Sequence, residues 1–143
     1  MIYLDHLTTT PPLPDVLDAM QPWLRGQFGA PASLHQLGLE ARDAIDAARD
    51  RLAKLVNAAE PKEIIFTSSG TEAINHAIKG AALANRRFGS HIVTTGIEHP
   101  AVISSIDWLE SQGFSSTRVS VHGQGRVDPN ALGRAITDET ILV

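Results

Sequence analysis

Cysteine is missing from all 143 residues. Its absence excludes a disulfide framework, a thiolate metal site and a cysteine nucleophile within this stretch. Positive charge is scarce as well: 12 Lys and Arg stand against 16 Asp and Glu, a net charge of −4 with the two signs interspersed. Such a surface does not neutralise a phosphate backbone or an anionic bilayer, so neither nucleic acid nor membrane is expected as a partner. No run of about 18 apolar residues occurs. The opening Met1-Ile2-Tyr3-Leu4-Asp5 has neither the basic start nor the apolar stretch of a signal peptide, and a cytoplasmic location is the expectation. Internal repeats and low-complexity segments are lacking too. What is present, 43% hydrophobic and 20% charged residues, is the composition of an ordinary domain able to bury a core.

Thr8, Thr9, Thr10, Pro11 and Pro12 form a β-branched, proline-ended run that suits an extended arm rather than a helix. Over residues 13–25, Leu13, Val16, Leu17, Met20 and Leu24 recur at helical spacing. Pro22 is expected to kink or shorten that helix and Gly26 to stop it. A loop rich in glycine and proline at 27–33 opens a long helix whose apolar face reads Leu37, Ala41, Ala44, Ile45, Ala48, Leu52, Leu55 and Val56. From Glu63 onward short apolar runs alternate with amphipathic stretches. The pattern predicts a strand at 63–67, a helix at 70–86, a strand at 91–95, a helix at 100–112 and a strand at 116–121. A turn at Gly123-Gln124-Gly125 and a short helix at 129–136 follow. Strand and helix in succession imply βαβ units and an α/β layered sheet. Thr140-Ile141-Leu142-Val143 reads as the beginning of a buried strand, with further chain expected after it.

The strongest local signal is Phe66-Thr67-Ser68-Ser69-Gly70-Thr71-Glu72, a small hydroxyl-rich turn between an apolar run and an amphipathic helix. Free N–H groups at a helix start, the positive end of the helix dipole and neighbouring hydroxyls make a seat for a phosphate monoester. Gly70 lets the backbone approach the oxygens, and Thr71 adds a hydroxyl. The plainer alternative is an N-cap at Ser68 or Ser69 with Glu72 as a first-turn acid. No Gly-Lys-Ser/Thr follows, so this is not the phosphate loop of nucleotide hydrolases. The second signal is Gly96-Ile97-Glu98-His99-Pro100, directly after the next strand. Ligands of α/β sheets bind at the carboxyl ends of strands, which places His99 beside whatever occupies the phosphate turn. Its imidazole can stack on an aromatic ring and carry a proton near neutral pH, or it can be a surface residue at a helix start.

Taken together, these motifs resemble a known family. Tyr3-Leu4-Asp5 with Thr9-Thr10, Phe28-Gly29 with Pro31-Ala32-Ser33 and His35, the run Thr67 to Glu72 with Asn75, Lys79-Gly80, and Glu98-His99 stand in the order found in class V aminotransferases, and specifically in cysteine desulfurases. The match runs along the whole chain and corresponds to about the first third of a family member. The resemblance implies an α/β fold: an N-terminal arm and helices, 1–26, followed at 27–143 by the first part of a pyridoxal-phosphate (PLP) fold-type-I large domain with a mostly parallel sheet. It places the cofactor phosphate at Gly70 and Thr71 with Ser69 beside them, and gives His99 ring stacking and proton transfer. The implied activity is removal of sulfur from L-cysteine, leaving alanine, by attack of a protein cysteine on the substrate thiol. The implied partners are the amino acid, a sulfur-acceptor protein and a second copy of the chain, or else a polypeptide supplying the Schiff-base lysine. The family carries that lysine, the acid that contacts the pyridine nitrogen and the sulfur-accepting cysteine downstream of the matched region.

The chain departs from the family pattern at four positions. Leu7 and Thr8 precede the paired threonines where small residues are usual, Ala30 replaces an asparagine, and Ser69 replaces a glycine. The first three leave open a related enzyme acting on another amino acid, or a non-catalytic scaffold. Other residues read as structural. Trp108, with Ile103, Ile106 and Leu109, is expected in helix–sheet packing. His122-Gly123-Gln124-Gly125-Arg126 reads as a plain turn, and His35 is either a site residue or a helix start. Asp5 and His6 are candidates for an acid–base pair or for anchoring the arm, while Asp43, Asp46 and Asp50 with Arg42, Arg49 and Arg51 read as a solvated face with local ion pairs.

Overall fold

The computed structural model describes residues 2–143 and divides at Ile65/Phe66. In the first unit the arm folds on itself. The Tyr3 hydroxyl donates to the carbonyls of Asp5 (2.9 Å) and Thr9 (3.1 Å), and the Thr8 hydroxyl donates to the Asp5 carboxylate (2.8 Å). His6 stands edge-on to the Tyr3 ring, so Asp5 and His6 do not form an acid–base pair. Helix α1 spans Pro14–Arg25. Pro14 lies in its first turn, where a missing N–H costs nothing. Pro22 neither ends nor shortens the helix, which runs on to Arg25 until the Gly26 N–H returns to the Pro22 carbonyl at 3.0 Å.

Helix α2, Gln36–Leu55, starts at an N-cap, His35, whose Nδ1 accepts the Gly38 N–H at 3.3 Å. His35 is therefore a helix-start residue. Ala41 and Ala53 bury the inner face, and Asn57 ends the element in the left-handed region at φ 55°. Arg49 pairs with Asp46 at 2.5 Å, and its Nε donates to the Ile64 carbonyl at 3.3 Å. The strand expected at 63–67 is not formed. Pro61–Glu63 wind into a single 3₁₀ turn, and Ile64 is extended at φ −87°, ψ 116° but enters no ladder. Apolar content makes a segment extended; only a partner makes it a strand.

The second unit is a βαβ layer. Helix α3 (Gly70–Asn85) leads to β1 (His91–Thr95), α4 (Pro100–Ser111), β2 (Ser115–Val119), α5 (Pro129–Ala135) and β3 (Thr140–Leu142). The strands order β2-β1-β3 and both pairings are parallel, with His91 opposite Ser115 and Thr95 opposite Val119. Parallel neighbours require crossovers, and α4 and α5 supply them. β2 ends two residues earlier than the sequence pattern predicts. Val121 instead bridges antiparallel to Val127 around the Gly123–Gly125 turn, where Gly125 takes φ 73°. Ile92, Ile106, Leu109, Phe114 and Ala82 form the core, and full burial of each large aliphatic side chain contributes about 2 kcal/mol. One expectation fails here. Trp108 remains 40% exposed, with the Lys79 ammonium 4.7 Å from its ring centroid, because its neighbours Ile106 and Leu109 already fill the sheet-facing stripe. β3 is half-buried and lies at the edge of the sheet among the described residues.

At the amino end of the sheet a buried histidine joins all three strands. His91 Nδ1 lies 2.8 Å from the Thr140 hydroxyl and Nε2 lies 2.9 Å from the Thr117 hydroxyl, while the Thr137 N–H donates to Thr140 Oγ1 at 2.8 Å. An imidazole with a hydroxyl at each nitrogen is fully satisfied, which is what permits its burial at 9% exposure. His91→Ala therefore leaves a cavity and two hydroxyls without their shared partner. We expect a loss of about 2 kcal/mol, read as a lower denaturant midpoint at unchanged slope. An unchanged midpoint would show that the three-strand bridge contributes nothing.

Candidate functional site

Two contacts fix how α3 and α4 lie. Lys79 sits over Trp108, and the Arg86 guanidinium donates to the Gln112 carbonyl at 2.9 Å while lying over the Phe114 ring. Both helices thus run in the same direction, with their carboxyl ends level. Counted back from the Lys79–Trp108 contact at 1.5 Å per residue, Gly70 lies about 13 Å and Pro100 about 12 Å along the helices. The two amino termini therefore lie at similar heights along the helix pair. α4 begins directly after the carboxyl end of β1, so both helix starts open at that end of the sheet.

The α3 start is built as the sequence suggests, with one displacement. Ser69 is the N-cap, its Oγ accepting the Glu72 N–H at 3.2 Å. In the usual capping box the acid three residues on reaches back to the N–H of the capping residue itself. Here the Glu72 carboxylate reaches one residue further, to the N–H (2.7 Å) and hydroxyl (2.6 Å) of Ser68. Those two donors hold the Glu72 carboxyl below the usual carboxylate range, the hydroxyl contributing most, with His76 one turn on adding to the effect. Because the folded-state value is lowered, the clamp's stabilisation is present above the ordinary carboxylate range and is lost as pH falls through the lowered value. The Thr67 hydroxyl donates to the Ser69 carbonyl at 3.1 Å, and the Asn75 amide donates to the Thr71 carbonyl at 2.9 Å. Asn75 is thereby spent on its own helix.

Ser69, Gly70 and Thr71 are exposed, and a Cβ added at Gly70 would meet nothing within 4 Å. Position in the first turn leaves the Gly70 and Thr71 N–H groups without an acceptor inside the helix. Ser69 Oγ accepts one bond and keeps its own proton to donate. The turn therefore offers an anion an open approach with several donors. At the α4 start His99 is the N-cap, and its Nδ1 accepts the Ala101 N–H at 3.0 Å. An accepting Nδ1 leaves the proton of the neutral ring on Nε2, and His99 as a whole is exposed. The preceding turn is held by the Thr95 hydroxyl donating to Glu98 at 2.6 Å.

Ser69 and His99 thus cap their helices, as the plainer reading has it, and both caps stand at exposed helix starts. Sequence reasoning missed the displaced reach of Glu72. It also missed the His91 bridge, whose only trace was a histidine at the head of an apolar strand.

Residues 2–143 match the protein family described as Aminotransferase class-V. A cysteine desulfurase IscS of Dictyoglomus turgidum is 46% identical over 142 residues, which cover 99% of this chain and 36% of the relative. A putative cysteine desulfurase IscS 1 of Bacillus subtilis is 49% identical over 142 residues, covering 99% of this chain and 37% of the relative. Among solved structures, that of SspA in complex with cysteine superposes with a TM-score of 0.87 at 34% identity, over 96% of this chain and 40% of that one. The chain spans a little over a third of the length of the curated relatives it matches.

Proposed function

Because the chain belongs to the class-V aminotransferase family, we propose that it forms the phosphate-and-ring end of a pyridoxal-phosphate site and serves in an L-cysteine desulfurase. The observation that carries the reading is the level pair of helix starts, one offering open N–H groups at Gly70 and Thr71, the other an exposed imidazole at His99. When bound, pyridoxal phosphate supplies an electron sink that weakens the bonds at an amino acid's α-carbon. The residues present fit such a group. The Gly70 and Thr71 N–H groups donate to the phosphate within the positive field of the α3 start, and Ser69 adds its hydroxyl proton. His99 offers a ring face for stacking and an Nε2 that can hold or pass a proton.

L-cysteine as substrate is supported by the names of the two curated relatives and by the ligand of the solved one. The whole reading has residues 27–143 as the first part of the cofactor-binding domain, a second copy of the chain completing the site, a protein thiol accepting the sulfur, and the cytoplasm as the location. No helix among the described residues is long and apolar enough to cross a membrane. In the full-length protein, the expected result is that pyridoxal phosphate perturbs the backbone amides of Gly70 and Thr71, that pyridoxal lacking the phosphate does not, and that L-cysteine is converted to alanine, its sulfur leaving as sulfide when a thiol reductant is added to reduce the protein persulfide. A cofactor phosphate found at another turn, or a protein inert toward L-cysteine, would remove the reading.

A further inference from the structure

We propose that Glu72 is a positioning residue for the phosphate seat: anchored on Ser68 rather than on Ser69, its carboxylate fixes the peptide leading into the turn and leaves three consecutive backbone donors, at Ser69, Gly70 and Thr71, to the phosphate. This rests on the reading of that turn as the place where the cofactor phosphate binds. The carrying observation is the one-residue displacement of the capping geometry. A carboxylate on the N–H of Ser69 would sit among the donors an incoming phosphate needs, and its negative charge would oppose the ligand's. Here the carboxylate is engaged by both the N–H and the hydroxyl of Ser68, at 2.7 and 2.6 Å. Two charge-assisted bonds at one residue hold the side chain more firmly than one would. They also fix the backbone of Ser68, and with it the orientation of the peptide that follows. The Ser69 hydroxyl completes the arrangement by taking the Glu72 N–H, so that donor does not compete with the other three. Glu72 thus shapes the seat without contacting the ligand.

The role separates from simple helix capping through the ligand. The full-length protein and its Glu72→Ala, Glu72→Gln and Ser68→Ala variants are titrated with pyridoxal phosphate and, separately, with pyridoxal, which lacks the phosphate. Glu72→Ala is expected to weaken pyridoxal phosphate by about tenfold while leaving pyridoxal within about twofold. Glu72→Gln, whose side-chain oxygen still accepts from Ser68, restores most of the affinity, and Ser68→Ala, which keeps the backbone donor, loses less than Glu72→Ala. Equal loss for both ligands would reduce Glu72 to a helix cap, and unchanged phosphate affinity in Glu72→Ala would overturn the proposal. A parent protein that binds the two ligands equally would sink the phosphate seat itself, a failure distinct from that of Glu72. If Glu72→Ala does not fold, Ser68→Ala decides: no change in its affinity for pyridoxal phosphate relative to pyridoxal counts against the role.

Discussion

His99→Asn in the full-length protein is expected to keep the fold and to lower turnover of L-cysteine by about 100-fold or more. Asparagine is among the best N-cap residues, and its side-chain oxygen can take the Ala101 N–H that His99 Nδ1 takes now. What it removes is the aromatic face and the titratable nitrogen, the two properties the proposed function assigns to this position. His99→Ala removes the cap as well, at a cost of about 1 kcal/mol to α4. The pair of variants therefore separates the roles. A melting temperature preserved in Asn and lowered in Ala, with turnover falling equally in both, is the expected pattern. Turnover in His99→Asn within a factor of two of the parent would return His99 to capping alone.

Residues 1–143 by themselves, mixed with pyridoxal phosphate and L-cysteine, are expected to release no sulfide beyond what the free cofactor gives. The reason is an inventory of nucleophiles. There is no cysteine to accept sulfur, and the lysines are Lys54, Lys62 and Lys79. Lys54 closes the last turn of α2, and Lys62 is paired with Glu60 at 2.5 Å. Lys79 lies about 13 Å along α3 from Gly70, by the rise of 1.5 Å per residue, with its ammonium over Trp108. A lysine that carries the cofactor must reach the ring, and Lys79, which shares a unit with the open helix starts, is held away from them over Trp108. Borohydride treatment followed by peptide mapping should find no lysine modified in preference to the others. Sulfide release that disappears on Lys79→Ala would overturn this expectation.

The βαβ unit and both helix starts were legible in the sequence because their signals are local. Serine and histidine precede amphipathic runs at Ser69 and His99, and both cap the helices that follow. Strand β1 and helices α3 and α4 lie within a residue of their predicted limits for the same reason. The failures share another cause. Whether 63–67 is a strand depends on a partner, which no property of Glu-Ile-Ile-Phe-Thr reveals. Trp108 reads as core by spacing, yet the stripe it borders is filled by Ile106 and Leu109 and it is left to Lys79. Pro22 is tolerated because it stands in the final turn of α1, where little helix remains to be broken. The displacement of Glu72 from Ser69 to Ser68 is a matter of side-chain reach, and the same five letters fit both arrangements.

The tryptophans of this chain are two, and the division at Ile65/Phe66 places one on each side: Trp23 in α1 and Trp108 in α4, each 40% exposed. Trp108 carries a cation against its ring, and Trp23 lies beside Met20 and Leu24 on an apolar helix face. Their surroundings differ in polarity, so their emission differs in wavelength and in quenching by ions. A Trp23→Phe chain then glows only from the layer that holds the helix starts, and a Trp108→Phe chain only from the arm and its helices. Residues 1–143 thereby carry a built-in pair of optical probes, through which the unfolding of each of the two units is followed separately in the same molecule.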